Sequence, residues 1–302
     1  MQNCIKTLAD RYYQLYLVPE KGKSDSEEYQ RIVKSGGVPD CFSSSGDRPD
    51  FPPSFTGTSD DRLFTIQTPV GPIECIYLEN RTDFERMIQL IAWKCEDKPV
   101  PETMGACTIL GIINWRKIEA HKTQFLSSGG NFLEWPDEFA SFTKDKKNFK
   151  DKLVIISKGF YSAVSSETLA LDESLWLKQS ERLRLYHEIT HVICRELFPE
   201  NIDALWDELL ADCIGLCAAT GEYDVRLAER LLGIDSSGLY IGGRMKNYFD
   251  EGEDMQQYVP QVHKYTDFLS NSVRSRAHKN MTDEELFDLV ITVEKEFCSS
   301  KN

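Results

Sequence analysis

Two histidines and a glutamate stand close together in the run Tyr186-His187-Glu188-Ile189-Thr190-His191. If this run is helical, His187 and His191 lie on one face a turn apart and can present two imidazoles to a single cation. That arrangement is typical of a zinc site. Glu188 projects beside the pair, where its carboxylate can take a proton from a water molecule that the metal polarises. The run is otherwise uncharged and contains no proline, which indicates a straight, largely buried helix.

A third ligand is expected from the next helical segment. Glu208 follows His191 by seventeen residues, and Phe198-Pro199 ends the first helix, so the second can fold back and turn Glu208 toward the histidines. Asp207 and Asp212 are neighbouring carboxylates that could serve as the ligand instead. Asp212, one turn after Glu208 on the same face, could also accept the free ring N–H of a ligand histidine.

The pattern His-Glu-x-x-His followed by Glu-x-x-Ala-Asp resembles the gluzincin class of zinc metallopeptidases. The resemblance implies that His187, His191 and Glu208 bind zinc. It also implies that Glu188 is the general base for peptide-bond hydrolysis and that Asp212 supports a ligand histidine. The motifs cover about thirty residues. Outside them the chain matches no named peptidase family, although as a whole it resembles a microbial metallopeptidase-like protein.

The resemblance further implies a downstream histidine, tyrosine or arginine that stabilises the oxyanion formed when water attacks a carbonyl. Arg244, Tyr248 and His263 are the candidates in this chain. We favour Arg244 and Tyr248, because glycines precede them and permit a tight loop. This loop, Ser236 to Asp250, is expected to fold over the cleft.

The same metal site also suits a binding or regulatory module that retains the metal and is catalytically silent or latent. A purely structural zinc is usually closed by four protein ligands and has no use for a base beside it. Glu188 therefore favours catalysis. The sequence predicts a metallopeptidase that acts on a protein or peptide substrate.

Composition and charge narrow the choice of partners and compartment. The chain has 302 residues and a formal net charge of −14, which argues against a nucleic-acid partner because neutralising phosphates requires a basic face. The N-terminus lacks the apolar stretch of a secretory signal, and the longest nearly uncharged run, Thr103 to Trp115, is too short to span a membrane. Nine cysteines without a C-x-x-C pair suit a reducing compartment. We therefore expect a cytoplasmic protein with no membrane partner.

The hydrophobic pattern predicts an α+β fold, a zincin-like metallopeptidase domain with a small sheet packed on the metal-binding helices. Strands are expected at Leu63 to Ile66 and Ile73 to Tyr77, as a hairpin, and within Leu153 to Val164. Zincin folds have an edge strand beside the metal, and by resemblance Leu153 to Val164 is the candidate; strand propensity fits an interior strand equally well. Met104 to Trp115 fits either a buried helix or a strand.

Helices are expected over residues 83–96, through both metal-binding segments, from Val225 to the stop at Gly233, and near the C-terminus. Capping boxes at Thr82 and Thr282 are predicted to begin the first and last of these helices. Residues 1–61 are predicted to form an N-terminal helix and a flexible loop rich in glycine, serine and proline. Residues 62–302 then form the catalytic domain.

Overall fold

The computed structural model describes residues 3–42, 49–201 and 203–301. Helices and one small sheet occur in these residues, so the predicted α+β class is confirmed. The strands are β1 (Arg62–Thr68), β2 (Gly71–Leu78), β3 (Ala106–Ile113) and β4 (Lys150–Ser157). The α-helices are α1 (Cys4–Ala9), α2 (Glu27–Tyr29), α3 (Arg81–Met87), α4 (Trp115–Ser127), α5 (Trp135–Phe142), α6 (Ser166–Leu169), α7 (Glu173–Leu197), α8 (Ala204–Thr220), α9 (Val225–Leu232), α10 (Val259–Val273) and α11 (Asp283–Ser300). Within the described residues, no helix combines the length and apolar character that a membrane span requires.

The strands pair in the order β1-β2-β4-β3. β1 and β2 form the predicted hairpin, joined through Pro69 and Val70. The expectation that Leu153 to Val164 forms an edge strand is wrong. β4 lies between β2 and β3, its residues from Leu153 to Ile156 are buried, and the chain leaves the sheet after Ser157. The interior alternative is the one that the sheet adopts.

One of the two edge strands, opposite β1, comes from the segment that the sequence left undecided between helix and strand. Residues Ala106–Ile113 are β3, and within the part of the chain that the structure describes β3 is hydrogen-bonded on one side only, to β4. Most of its residues are half-buried, and Leu110 is 40% exposed. Periodicity could not decide this case, because a short apolar run looks the same in a buried helix and in a strand.

The chain divides into two compact units, of which the first comprises Met1–Phe64, Glu74–Val100 and Ile109–Ile155. The predicted N-terminal helix is short, Cys4–Ala9, and it buries Ile5 and Leu8. In the same unit the buried carboxylate of Asp83 accepts hydrogen bonds from the backbone N–H groups of Thr56 and Gly57, at 2.9 Å and 2.8 Å. Residues 43–48 of the predicted flexible loop lie outside the described residues. The domain boundary at residue 61 stays a prediction.

The second unit comprises Thr65–Ile73, Pro101–Thr108 and Ile156–Asn302, and it contains the candidate ligands His187, His191 and Glu208. α7 begins where the Asp172 side chain accepts a hydrogen bond from the backbone N–H of Leu175 at 2.9 Å. α8 packs closely along α7. A Cβ atom at Gly215 would lie 2.7 Å from the carbonyl oxygen of Leu183, so glycine at this position allows the close approach of the two helices.

Two of the predicted helix ends are confirmed and one is wrong. The capping box at Thr282 is present, and Gly233 ends α9 in the left-handed conformation. The box predicted at Thr82 does not form. Asn80 caps α3 instead, because its side-chain oxygen accepts a hydrogen bond from the backbone N–H of Thr82 at 2.9 Å.

Candidate metal centre

His187 and His191 on α7 and Glu208 on α8 come together in the second unit. One potential ligand atom from each lies within 4.8 Å of the others, so the cluster could hold a metal ion. Both histidines are almost fully buried, with side-chain exposures of 8% and 6%, whereas Glu208 is 24% exposed. The cluster therefore lies at the base of an opening, with the carboxylate nearest to solvent.

The distances between the ligand atoms fit a small tetrahedral cation. The two Nε2 atoms are 3.1 Å apart, and the Glu208 carboxylate oxygens lie 3.5 Å from Nε2 of His187 and 3.6 Å from Nε2 of His191. Ligands bound tetrahedrally at about 2.0–2.2 Å lie roughly 3.3–3.6 Å from one another. The three side chains therefore need almost no rearrangement to share one ion.

Each histidine is held from behind by its own carboxylate. Nδ1 of His187 lies 3.0 Å from Oδ1 of Asp212, and Nδ1 of His191 lies 2.8 Å from Oδ2 of Asp207. An N–H donated at Nδ1 leaves the lone pair of Nε2 directed at the cluster. Asp212 thus lies where the sequence predicted. Asp207, which the sequence left as a rival ligand, supports the second histidine.

The electrostatics of the cluster leave one histidine neutral and the other protonated. Burial and the neighbouring His191 lower the pKa of His187 to about 4. Burial by itself would lower the pKa of His191, but the hydrogen bond to Asp207 and the charge of Glu208 outweigh it and raise the pKa to about 9. Burial would likewise raise the pKa of Glu208, yet the charges of His191 and His187 lower it. At neutral pH the two imidazoles together therefore hold one proton more than two neutral rings would, and a bound cation would displace it.

The two supporting aspartates are expected to differ when replaced. Asp207→Asn should weaken zinc binding about 10–100-fold, because the histidine loses its anionic partner, with little loss of stability since Asp207 is 24% exposed. Asp212→Asn should weaken binding similarly and also destabilise the fold by about 3–5 kcal/mol, because Arg244 is left buried without its counter-ion. Competition with a chromogenic chelator and thermal unfolding of both variants measure the two effects. Equal stability of the two variants would contradict the distinction.

Tyr161 completes the support of His187, although no motif in the sequence indicates it. Its buried hydroxyl donates to Oδ1 of Asp212 at 2.6 Å, lies 3.0 Å from Nδ1 of His187, and accepts a hydrogen bond from Arg244 at 2.8 Å. Arg244 also pairs with the other oxygen of Asp212. Tyr161 lies in the segment Leu153 to Val164, which we predicted to be a strand. Strand propensity does not indicate which groups a tyrosine hydroxyl contacts.

A buried arginine holds the segment that carries Tyr161. Arg184, 4% exposed, donates to the carbonyl oxygens of Gly159 and Phe160, both at 2.6 Å. A Cβ atom at Gly105 would lie 2.2 Å from Nε of this arginine, so glycine is required where the guanidinium passes. This clamp fixes the backbone from which Tyr161 reaches the metal ligands.

Glu188, the predicted general base, lies beside the cluster and is held by a threonine. The hydroxyl of Thr108, in β3, donates to Oε2 of Glu188 at 2.6 Å. Glu188 is half-buried and belongs to the lining of the same cavity as His187 and His191. The hydrogen bond restricts the rotation of the carboxylate and leaves its other oxygen available. No signal in the sequence linked Thr108 to this glutamate.

Arg244 and Tyr248, predicted to stabilise an oxyanion, both line the cavity from the turn Arg244–Tyr248. Arg244 is engaged by Tyr161 and Asp212, and Tyr248 lies next to Glu208, which also lines the cavity. Their role toward a substrate stays a prediction. The third candidate, His263, contacts Glu229 at 2.6 Å and is not part of the lining.

The cavity above the cluster has a volume of about 520 Å³. It is lined by Pro101, residues 103–108, Tyr161, Ser162, Arg184, His187, Glu188, His191, Arg195, Glu208, Arg244, Asn247 and Tyr248. Residues from α7, α8, the start of β3 and the turn Arg244–Tyr248 therefore share one opening. The predicted loop Ser236 to Asp250 contributes Arg244, Asn247 and Tyr248 to the cavity wall.

A family model described as "Family of unknown function (DUF7005)" matches residues 1–291 of the chain. Comparison with curated proteins and with solved structures finds no match.

Proposed function

The chain belongs to the DUF7005 family, and we propose that it is a zinc-dependent metallopeptidase with a zincin-like catalytic domain and Glu188 as general base. The observation that carries the proposal is the combination of a cluster with three ligand residues and an adjacent glutamate that faces the same cavity. Two histidines and one carboxylate are the ligand set of catalytic zinc sites that keep a position open. The substrate would be a protein or a peptide.

Zinc bound by this cluster would activate a water molecule and polarise the carbonyl of the scissile bond. Glu188 accepts the proton that the attacking water loses and delivers it to the leaving amine. Thr108 keeps the Glu188 carboxylate in orientation through its hydrogen bond to Oε2. Asp207 and Asp212 hold the histidines, so the ligands are preorganised before any substrate arrives.

The start of β3 supports an extended peptide as the substrate. Residues 106–108 line the cavity beside Glu188 and belong to a strand with one hydrogen-bonded neighbour among the described strands. A peptide laid along such an edge forms main-chain hydrogen bonds that are independent of its sequence. In this proposal β3 takes the part that the resemblance assigned to Leu153 to Val164.

A catalytically silent or latent module is the alternative, and the ligand set argues against it. A structural zinc would be closed by a fourth protein ligand, whereas the cluster in the described residues consists of His187, His191 and Glu208. Glu188 is turned to Thr108 instead of joining the ligands. This geometry favours the enzyme.

Zinc-loaded protein is expected to cleave peptides in a diverse synthetic library, with products detected by mass spectrometry. Cleavage should stop when 1,10-phenanthroline removes the metal and should return when zinc is restored, because the ligand cluster alone supplies no equivalent activation. Protein that binds stoichiometric zinc and leaves every peptide intact would support the silent module instead.

A further inference from the structure

Three arginines line the cavity. The guanidinium groups of two of them bind other groups of the protein. Arg184 is buried and donates to backbone carbonyl oxygens. Arg244 is buried and pairs with Asp212. Arg195 differs from both, because it is exposed and, among the residues that the structure describes, its guanidinium makes no hydrogen bond or ion pair. It is therefore the arginine of the cavity that can engage another molecule.

The position of Arg195 relative to the metal ligands follows from helix geometry. His187, His191 and Arg195 are spaced four residues apart on α7, so they lie along one face of the helix. Arg195 begins about 6 Å further along the helix axis than His191. It shares the cavity wall with Cys107 of β3 and is near enough to act electrostatically on the Cys107 thiol. The guanidinium thus lies on the side of the cavity beyond His191.

The chemistry of Arg195 selects the group that it would bind. A guanidinium offers its N–H donors in a planar fork that matches the two oxygens of a carboxylate. An extended peptide advances about 3.3 Å per residue, so the reach to Arg195 corresponds to roughly two residues from the bond at the metal centre. The chain as a whole is acidic, with a net charge of −14. Arg195, in contrast, places an unpaired positive charge in the cavity.

We infer that Arg195 is a specificity-determining residue that binds a carboxylate of the substrate on the His191 side of the cavity. The carboxylate is either an acidic side chain or the C-terminus of the peptide itself. The inference rests on the proposed peptidase function, since it assigns a substrate preference to the same cavity. Neutral or basic groups at that position of the peptide gain nothing from this arginine.

The test measures binding, so that it does not depend on turnover. The probes are peptide hydroxamates, in which the hydroxamate binds the metal and the peptide extends toward its N-terminal or its C-terminal side. Each extension is made as a matched pair with glutamate or glutamine, and the C-terminal extension also as a free carboxylate and its carboxamide. Dissociation constants are measured by calorimetry for the zinc-loaded wild-type, Arg195→Gln, Arg195→Lys and Arg226→Gln proteins. Arg226 is an exposed arginine outside the cavity and serves as the matched control.

The wild-type protein is expected to bind the carboxylate member of one pair about tenfold more tightly than its neutral partner. Arg195→Gln should lose this preference, Arg195→Lys should keep part of it, and Arg226→Gln should keep all of it. A preference in a glutamate pair identifies an acidic side chain, and one in the carboxylate–carboxamide pair identifies the C-terminus. Equal binding within every pair by the wild type, or an unchanged preference in Arg195→Gln, overturns the inference about Arg195. Failure of every hydroxamate to bind would instead overturn the metal centre on which the proposed function stands.

Discussion

Glu188→Gln is expected to reduce peptide hydrolysis by about 10²–10⁴-fold, the usual contribution of a general base, while zinc stays bound. In the wild type the Thr108 hydroxyl donates a hydrogen bond to Oε2 of Glu188 at 2.6 Å. Glutamine has the same size as glutamate, and its side-chain oxygen can still accept this hydrogen bond. It cannot take a proton from water. Turnover of a peptide found in the library screen and metal analysis by mass spectrometry measure the two quantities.

The control for this variant is Glu173→Gln, which removes the same charge from an exposed position in the first turn of α7. Activity should be unchanged in the control, because residue 173 is outside the cavity lining. Full activity in Glu188→Gln would exclude Glu188 as the base. Loss of zinc from Glu188→Gln would show that the glutamate belongs to the ligand set.

His187→Ala is expected to abolish stoichiometric zinc binding and, with it, peptide hydrolysis. The histidine is one of the three candidate ligands, and the two that remain would leave the ion largely solvated. The variant should also unfold at a lower temperature than the zinc-loaded wild type, because it loses the stabilisation that a tightly bound ligand gives to the native state. Metal analysis after dialysis and thermal unfolding with and without zinc measure both effects.

His263→Ala is the matched control, since His263 contacts Glu229 and lies outside the cavity. It should retain zinc, activity and the zinc-dependent rise in unfolding temperature. Equal zinc content in His187→Ala and in the wild type would move the metal site away from this cluster. Apo wild type and apo His187→Ala should differ by only about 1–3 kcal/mol, the cost of leaving buried polar partners unsatisfied.

The residues within one helix turn could be predicted from the sequence, because helix geometry determines which side chains share a face. His187, His191 and the adjacent Glu188 required only that α7 form, and the run's uncharged residues and lack of proline favoured that. The capping box at Thr282 and the stop at Gly233 are equally local, and both are present. The capping box predicted at Thr82 does not form, because the backbone N–H of Thr82 donates to the side chain of Asn80, two residues earlier. Local prediction of a helix start therefore fails where two capping residues compete.

Tertiary structure decides which residues that are distant in the sequence come together. Glu208 reaches the histidines because α8 packs closely on α7 at Gly215, and the same packing pairs Asp207 with His191, which spacing alone could not assign. β3 and not β4 is an edge strand beside the candidate site, since strand order depends on pairing between segments and not on the propensity of any one of them. Thr108 contacts Glu188 across 80 residues of chain, and Tyr161 contacts His187 across 26. Contacts over such separations leave no local periodicity in a sequence, because they depend on how packed elements meet and not on the repeat of a single helix or strand.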